Sequence, residues 1–167
     1  MAGDLTADAE LGPILESLRR TPELISSMLQ RLPSPHWTAK TYEEEWSFVE
    51  NICHLRDLET EGYAVRIARI LEEEKPFLPD FDGSRIAVER NYIDQDAWQA
   101  LRDFTRTRTN NVARLRDLDA GLLERTGTFE NTEDITLRKL IDMIREHDEH
   151  HLGDLARLCE SLDKKSS

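Results

Sequence analysis

Apolar residues recur at steps of three and four along almost the whole chain, the period of a helix rather than the period of two of a half-buried strand. Leu11, Ile14, Leu18, Ile25, Met28 and Leu32 form a first stripe over roughly residues 8–31. Thr21-Pro22-Glu23 interrupts it. Threonine at an N-cap and proline at the first helical position are start signals, so a second helical piece is expected to begin there. Residues 32–45, with Pro33 and Pro35, read as a loop. Ser47 to Glu50 has the capping-box spacing, in which serine and glutamate satisfy each other's free amides, and it opens a second helix. That helix is expected to run to about Glu74 before Pro76, with Leu55, Leu58 and Val65 turned inward.

Residues 75–93 hold Pro76, Pro79 and Asp82-Gly83 and read as a long connection with at most a short helical turn. Asp94 or Asp96 caps a third helix through about Leu118, with Trp98, Leu101, Val112 and Leu115 on its apolar face. Residues 121–134 are a second connection, and Thr136 caps a fourth helix that continues to about Leu162. Alternation with period two never lasts more than a few residues. Four long helices joined by long connections predict an all-α fold, a four-helix bundle.

Composition narrows the function. At 167 residues, residues 1–167 are expected to form a single domain with a core of its own. With 38% hydrophobic and 34% charged residues the chain is globular rather than disordered. The net charge of −12 argues against nucleic acid and against an anionic membrane surface, because both are held by clustered Lys and Arg. Arg102, Arg106 and Arg108 are interleaved with Asp103, threonines and asparagines. The acidic start MAGDLTADAE has no apolar segment of the secretory kind, and no run approaches the roughly 20 apolar residues of a membrane span. The expected compartment is cytoplasmic. Cys53 and Cys159 do not make a disulfide framework and read as small apolar residues.

The chemistry concentrates in the fourth helix. Its stripe is Leu137, Leu140, Ile144, then a gap, then Leu155, Leu158 and Leu162, and the residues that fill the gap in phase are His147 and His151. Positions four apart nearly overlay on a helix, so two imidazoles face the core one turn apart, a spacing at which they can share a metal ion. His150 lies about 100° from His151 and belongs at the stripe's edge. His54, on the second helix beside Leu55 and Leu58, supplies a third inward imidazole. A single core histidine is ordinarily a hydrogen-bonded packing residue. Three on two facing stripes point to one divalent ion, and imidazole suits zinc, nickel, copper or iron. Glu50, one turn before His54, and Asp154, three residues after His151, are candidate helpers that could orient the rings or assist a reaction, with Asp148 beside His147 a further neighbour. The ordinary reading of each is a solvated helix face.

These residues resemble a known family. Glu45-Trp46-Ser47, Val49-Glu50 and His54-Leu55 with Asp57 and Glu59 are similar to the second-helix signature of the DinB-like (DinB/YfiT) four-helix proteins, and His147 to Leu155 resembles that family's H-x-x-H-H stretch. Arg66-Ile67, Leu78-Pro79, Phe81-Asp82 and Tyr92 fit the DinB_2 subgroup, and the resemblance spans about residues 11–162. It implies an up-up-down-down bundle with a long crossover, a homodimer, and zinc or nickel on His54, His147 and His151. Some relatives use such a site for transfer to a low-molecular-weight thiol and others are presumed hydrolases. This chain departs from the pattern at Phe129, where relatives often carry His, and at Asp154, where they often carry Gln. The sequence therefore leaves two functions open. One is a metal-dependent enzyme, a hydrolase or thiol transferase acting on a small molecule. The other is a non-catalytic, metal-stabilised or ligand-binding bundle. A pocket lined by polar groups of the third helix near Arg108 would favour the enzyme.

Overall fold

The computed structural model describes residues 7–129 and 133–165. The acidic first six residues and the last two of the Ser-ended tail lie outside the described residues. Helix α1 spans Ala7–Arg31. The second long helix is α2 (Phe48–Asp57), a π-helical turn (Leu58–Tyr63) and α3 (Ala64–Glu72) in one continuous run. After α4 (Gly83–Glu89) come the long α5 (Ala97–Arg116) and α6 (Leu137–Lys165). The fold is a four-helix bundle, as the periodicity predicts.

Two apolar clusters set the helix directions. Ile25 and Leu29 of α1 share one with Phe48 and Ile52 of α2, Ala97 and Leu101 of α5, and Leu155 and Leu162 of α6. The start of α1, the end of α3, the end of α5 and the start of α6 share the other, through Leu11, Ile70, Leu115 and Leu140. So α1 and α6 rise, and α2–α3 and α5 descend. Along the chain the order is up, down, down, up, and around the bundle the two rising helices are neighbours, as are the two descending ones. The long crossover, residues 73–96, carries the chain from the bottom of α3 back to the top of α5.

Three details differ from the sequence reading. First, α1 does not restart at Thr21; it runs through Pro22 without a break. A proline inside a helix leaves the carbonyl four residues back without its amide. Here that carbonyl, Leu18 O, accepts instead from Arg108 Nη1 of α5 at 3.1 Å. Second, the connections contain a small sheet. β1 (Phe77–Leu78) lies parallel to β2 (Thr126–Phe129), and β2 pairs antiparallel with β3 (Asp134–Thr136), with Phe77 opposite Thr128 and Thr126 opposite Thr136. Strands of two to four residues are too short to show a period. Third, Val65 faces outward at 37% exposure. The π-turn just before it inserts extra residues per turn and shifts the phase of everything that follows.

The caps are where the residues predict them. Ser47 and Glu50 form a complete capping box on α2, Asp96 rather than Asp94 caps α5, and Thr136 Oγ1 accepts from Lys139 N at 3.0 Å at the head of α6. The crossover is tied to α2–α3 at two points. The Arg66 guanidinium donates twice to Pro79 O, at 3.2 and 2.9 Å. Buried Asp57 accepts from Tyr92 Oη and Arg90 Nη1, both at 2.7 Å. Among the described residues no helix is long and apolar enough to cross a membrane.

Candidate metal centre

The two histidine-bearing stripes meet halfway up the bundle. His54 comes from α2, one turn beyond the capping box, and His147 and His151 come from successive turns of α6. Their Nε2 atoms converge: His54 Nε2 is 3.2 Å from His147 Nε2, which is 3.1 Å from His151 Nε2. The three form a group whose donor atoms all lie within 4.8 Å of one another. His54 and His151 are buried at 7% and 6% exposure.

The protonation of this group follows from its surroundings. Burial, and then the neighbouring imidazoles, push all three pKa values down to about 3. All three rings are therefore neutral near pH 7, each with one N–H and one lone pair. For His151 the choice is fixed by a neighbour. Asn51 Nδ2 donates to Ser47 O at 2.9 Å, so its Oδ1 is free to accept from His151 Nδ1 at 2.8 Å. His151 thus carries its proton on Nδ1 and turns the Nε2 lone pair inward. His54 and His147 have buried Nδ1 atoms without a partner among the described residues.

Three neutral rings that aim Nε2 at a common point are poorly served by hydrogen bonds alone, since an N–H shared between two of them leaves the third lone pair facing them. A cation resolves this. Two nitrogens bound tetrahedrally at about 2.0–2.1 Å from one zinc ion stand roughly 3.3 Å apart, close to the separations here. The donor set fits a divalent ion.

Aromatic rings wall the group. Trp46 lies 4.6 Å from His54, centroid to centroid, and stacks on His151 at 6.1 Å and 15°. Tyr63 meets His147 edge-on at 6.0 Å. Beside His151 a cleft of about 430 Å³ opens between residues 41–46, Ser84 of α4 and the outer turns of α6, lined in part by Tyr42, Trp46, Asn51, His150 and Asp154.

The other sequence candidates fall out unevenly. His150 stands outside the group on the exposed edge, 3.4 Å from an Asp154 oxygen. Asp154 lines the cleft and hydrogen-bonds Arg157. Glu50 is turned away from the histidines, taken up by Ser47 N at 2.7 Å and by Lys40 Nζ at 3.0 Å. Asp148 is not the solvated face expected of it. It is 3% exposed and forms, with Glu59, a buried clamp on Arg108, at 3.0 Å to Arg108 Nη2 and 2.8 Å from Glu59 Oε2 to the same nitrogen. Arg108 correspondingly does not line the cleft, whose polar groups come from other elements. Cys53 is buried, its thiol pushed up to about 12 by burial, and behaves as a small apolar residue.

Sequence reasoning missed Asn51 and Trp46. Asn51 had a usable signal, since it sits four residues after the Ser47 cap and three before His54. Trp46 stood in the Glu45-Trp46-Ser47 stretch that resembles the family signature, but an aromatic in a loop carries no phase, so its place over the rings was not readable.

Comparison with known proteins agrees with this picture. The model of the DinB_2 family, described as the DinB superfamily, matches residues 17–155. A protein of Oceanobacillus iheyensis, named "Putative metal-dependent hydrolase", is 23% identical over 96% of this chain and 95% of its own length. The solved structure of YfiT from Bacillus subtilis, described as a probable metal-dependent hydrolase with an unusual four-helix bundle topology, superposes with a TM-score of 0.84. It does so at 19% identity, over 91% of this chain and 87% of that one.

Proposed function

The chain belongs to the DinB superfamily, and from that premise we propose that it is a metal-dependent hydrolase with a divalent ion, zinc or nickel, held by His54, His147 and His151. The observation that carries this is the convergence of three neutral imidazoles on one point, at Nε2 separations of 3.1 and 3.2 Å. The names of the two similar proteins support it. An ion on three neutral ligands keeps its full charge, and so supplies a Lewis acid for a substrate carbonyl and a lowered pKa for a coordinated water or thiol.

The chain's own groups do the rest. Asn51 holds the His151 tautomer, so that Nε2 rather than Nδ1 is presented. Trp46 packs over the His54 and His151 rings. The cleft admits a small molecule against the His151 side, and its lining is more polar than apolar. Asp154 and His150 stand there as groups that can accept or donate a proton. A metal that only stapled the bundle would be sealed by apolar side chains. The polar cleft reaching His151 favours the enzyme.

Elemental analysis of untagged protein is expected to find close to one divalent ion per chain, lost in His147→Ala. Absence of metal and of any zinc or nickel affinity would reject the reading. Metal-loaded protein is then assayed on a panel of esters and amides, with turnover expected to vanish in His147→Ala. The same protein, melted with low-molecular-weight thiols, tests the transferase. A thiol that raises the melting temperature only in the wild type would replace hydrolysis by thiol transfer.

A further inference from the structure

Among the described residues no hydrogen bond to the outer nitrogen, Nδ1, orients the His54 ring. His151 is turned by Asn51, whereas His54 Nδ1 meets no acceptor among the described residues. A metal-ligating histidine ordinarily gives its other N–H to an orienting partner. At His54 packing must do that work. Trp46 lies 4.6 Å and Phe81 6.0 Å from the ring, centroid to centroid. Against its Nδ1–Cε1 edge lies Gly83, the first residue of α4. A Cβ at Gly83 would stand 2.6 Å from His54 Cε1, 2.7 Å from His54 Nδ1 and 3.5 Å from Trp46 Cη2.

Nothing else in the fold asks for glycine at this position. No described glycine has a positive φ, so the backbone conformation is open to any residue. Alanine is the better helix former. Nor can the crossover back away from the ring, because it is pinned on both sides. Pro79 O is held by Arg66, and Tyr92 and Arg90 are held by Asp57. An added methyl group must be accommodated by the imidazole, and a shift or rotation of that ring takes Nε2 out of its present place 3.2 Å from His147 Nε2.

We infer that Gly83 is a positioning residue for the metal centre: its missing side chain is the space that lets the His54 ring aim Nε2 at His147 and His151. This rests on the reading that the three imidazoles hold an ion. It makes the crossover, far from the ligands in sequence, part of the site.

The test is Gly83→Ala in the full chain, compared with wild type for zinc and nickel affinity by competition with a chromophoric chelator, and for melting of the metal-free protein. The variant is expected to bind metal about 10- to 100-fold more weakly, the range seen when orienting partners of ligands are lost. Its metal-free melting temperature is expected to stay within about 3 °C of wild type. A merely structural role would move melting and leave affinity alone. If wild type binds and Gly83→Ala binds equally well, this inference is wrong and the metal reading stands. If wild type does not bind, both fall. If Gly83→Ala melts far lower, the pair is repeated in a His54→Ala background. Recovery of the lost stability places the clash on the ring and supports the inference. A loss that persists places it elsewhere and overturns it.

Discussion

Of the three histidines proposed to hold the ion, His151 has the most fully determined geometry, because one contact fixes its tautomer, its ring plane and the direction of its lone pair. Asn51 Oδ1 accepts from Nδ1 at 2.8 Å, and the Asn51 amide is itself spent on Ser47 O. Asn51→Ala is therefore expected to weaken zinc binding about 10- to 100-fold while leaving three histidines in place. Unchanged affinity, measured by chelator competition, would show that packing alone holds the ring. The neighbouring histidine is a sharper test of phase. His150→Ala should leave metal content unchanged and His151→Ala should abolish it; equal losses would mean that the exposed ring also ligates. The helical phase of His147, His150 and His151 was readable from a 100° step per residue. The spacing of Asn51, four residues after Ser47 and three before His54, placed it near the site, but an amide on a helix does not name its partner until the facing ring is known.

At the scale of the helix, the buried clamp on Arg108 replaces what Pro22 takes away. Arg108 Nη1 bonds the orphaned Leu18 carbonyl, and the guanidinium bridges Asp148 of α6 and Glu59 of the π-turn. Thr21 Oγ1 donates to Asp148 Oδ2 at 2.6 Å, and Asn111 Nδ2 to Glu59 Oε1 at 2.8 Å. One side chain thus ties α5 to all three other long helices of the bundle. Removing it leaves two carboxylates and a carbonyl without their partner in the interior. Arg108→Ala is expected to cost about 3–5 kcal/mol, the usual penalty for breaking a buried pair, read from urea unfolding of metal-free protein. A loss near that of an exposed pair, under about 1 kcal/mol, would show that water reaches the clamp. The sequence pointed at Arg108, since it falls in phase with Leu101 and Leu115, but an in-phase charge does not say whether it meets a pocket or a partner. The expected break at Thr21 failed for the same reason: the group that rescues a mid-helix proline lies on another helix, 86 positions along in Arg108.

For the whole molecule, the long helices and their caps were legible because each is written in local spacing, whereas the sheet, the π-turn and the crossover's grip on His54 are settled only by tertiary contacts. The same separation governs how stability responds to pH. In the unfolded chain the three histidines take up protons near pH 6.5. In the fold, burial and mutual repulsion hold them neutral down to about 3. Below about pH 6.5 the unfolded state therefore binds protons that the native state refuses, and stability must fall as pH falls, until the native rings also titrate. Carboxylates do not complicate the upper part of this window, since they titrate near pH 4 when unfolded. Metal-free protein is accordingly expected to melt at steadily lower temperature from about pH 6.5 to 4.5. Bound metal should raise the whole curve and steepen it, because a proton and a metal ion compete for the same lone pairs. Replacing His54, His147 and His151 together by Gln should flatten the metal-free curve over that range. A slope that survives the triple substitution would assign the acid sensitivity to other groups and remove the case for three buried neutral imidazoles.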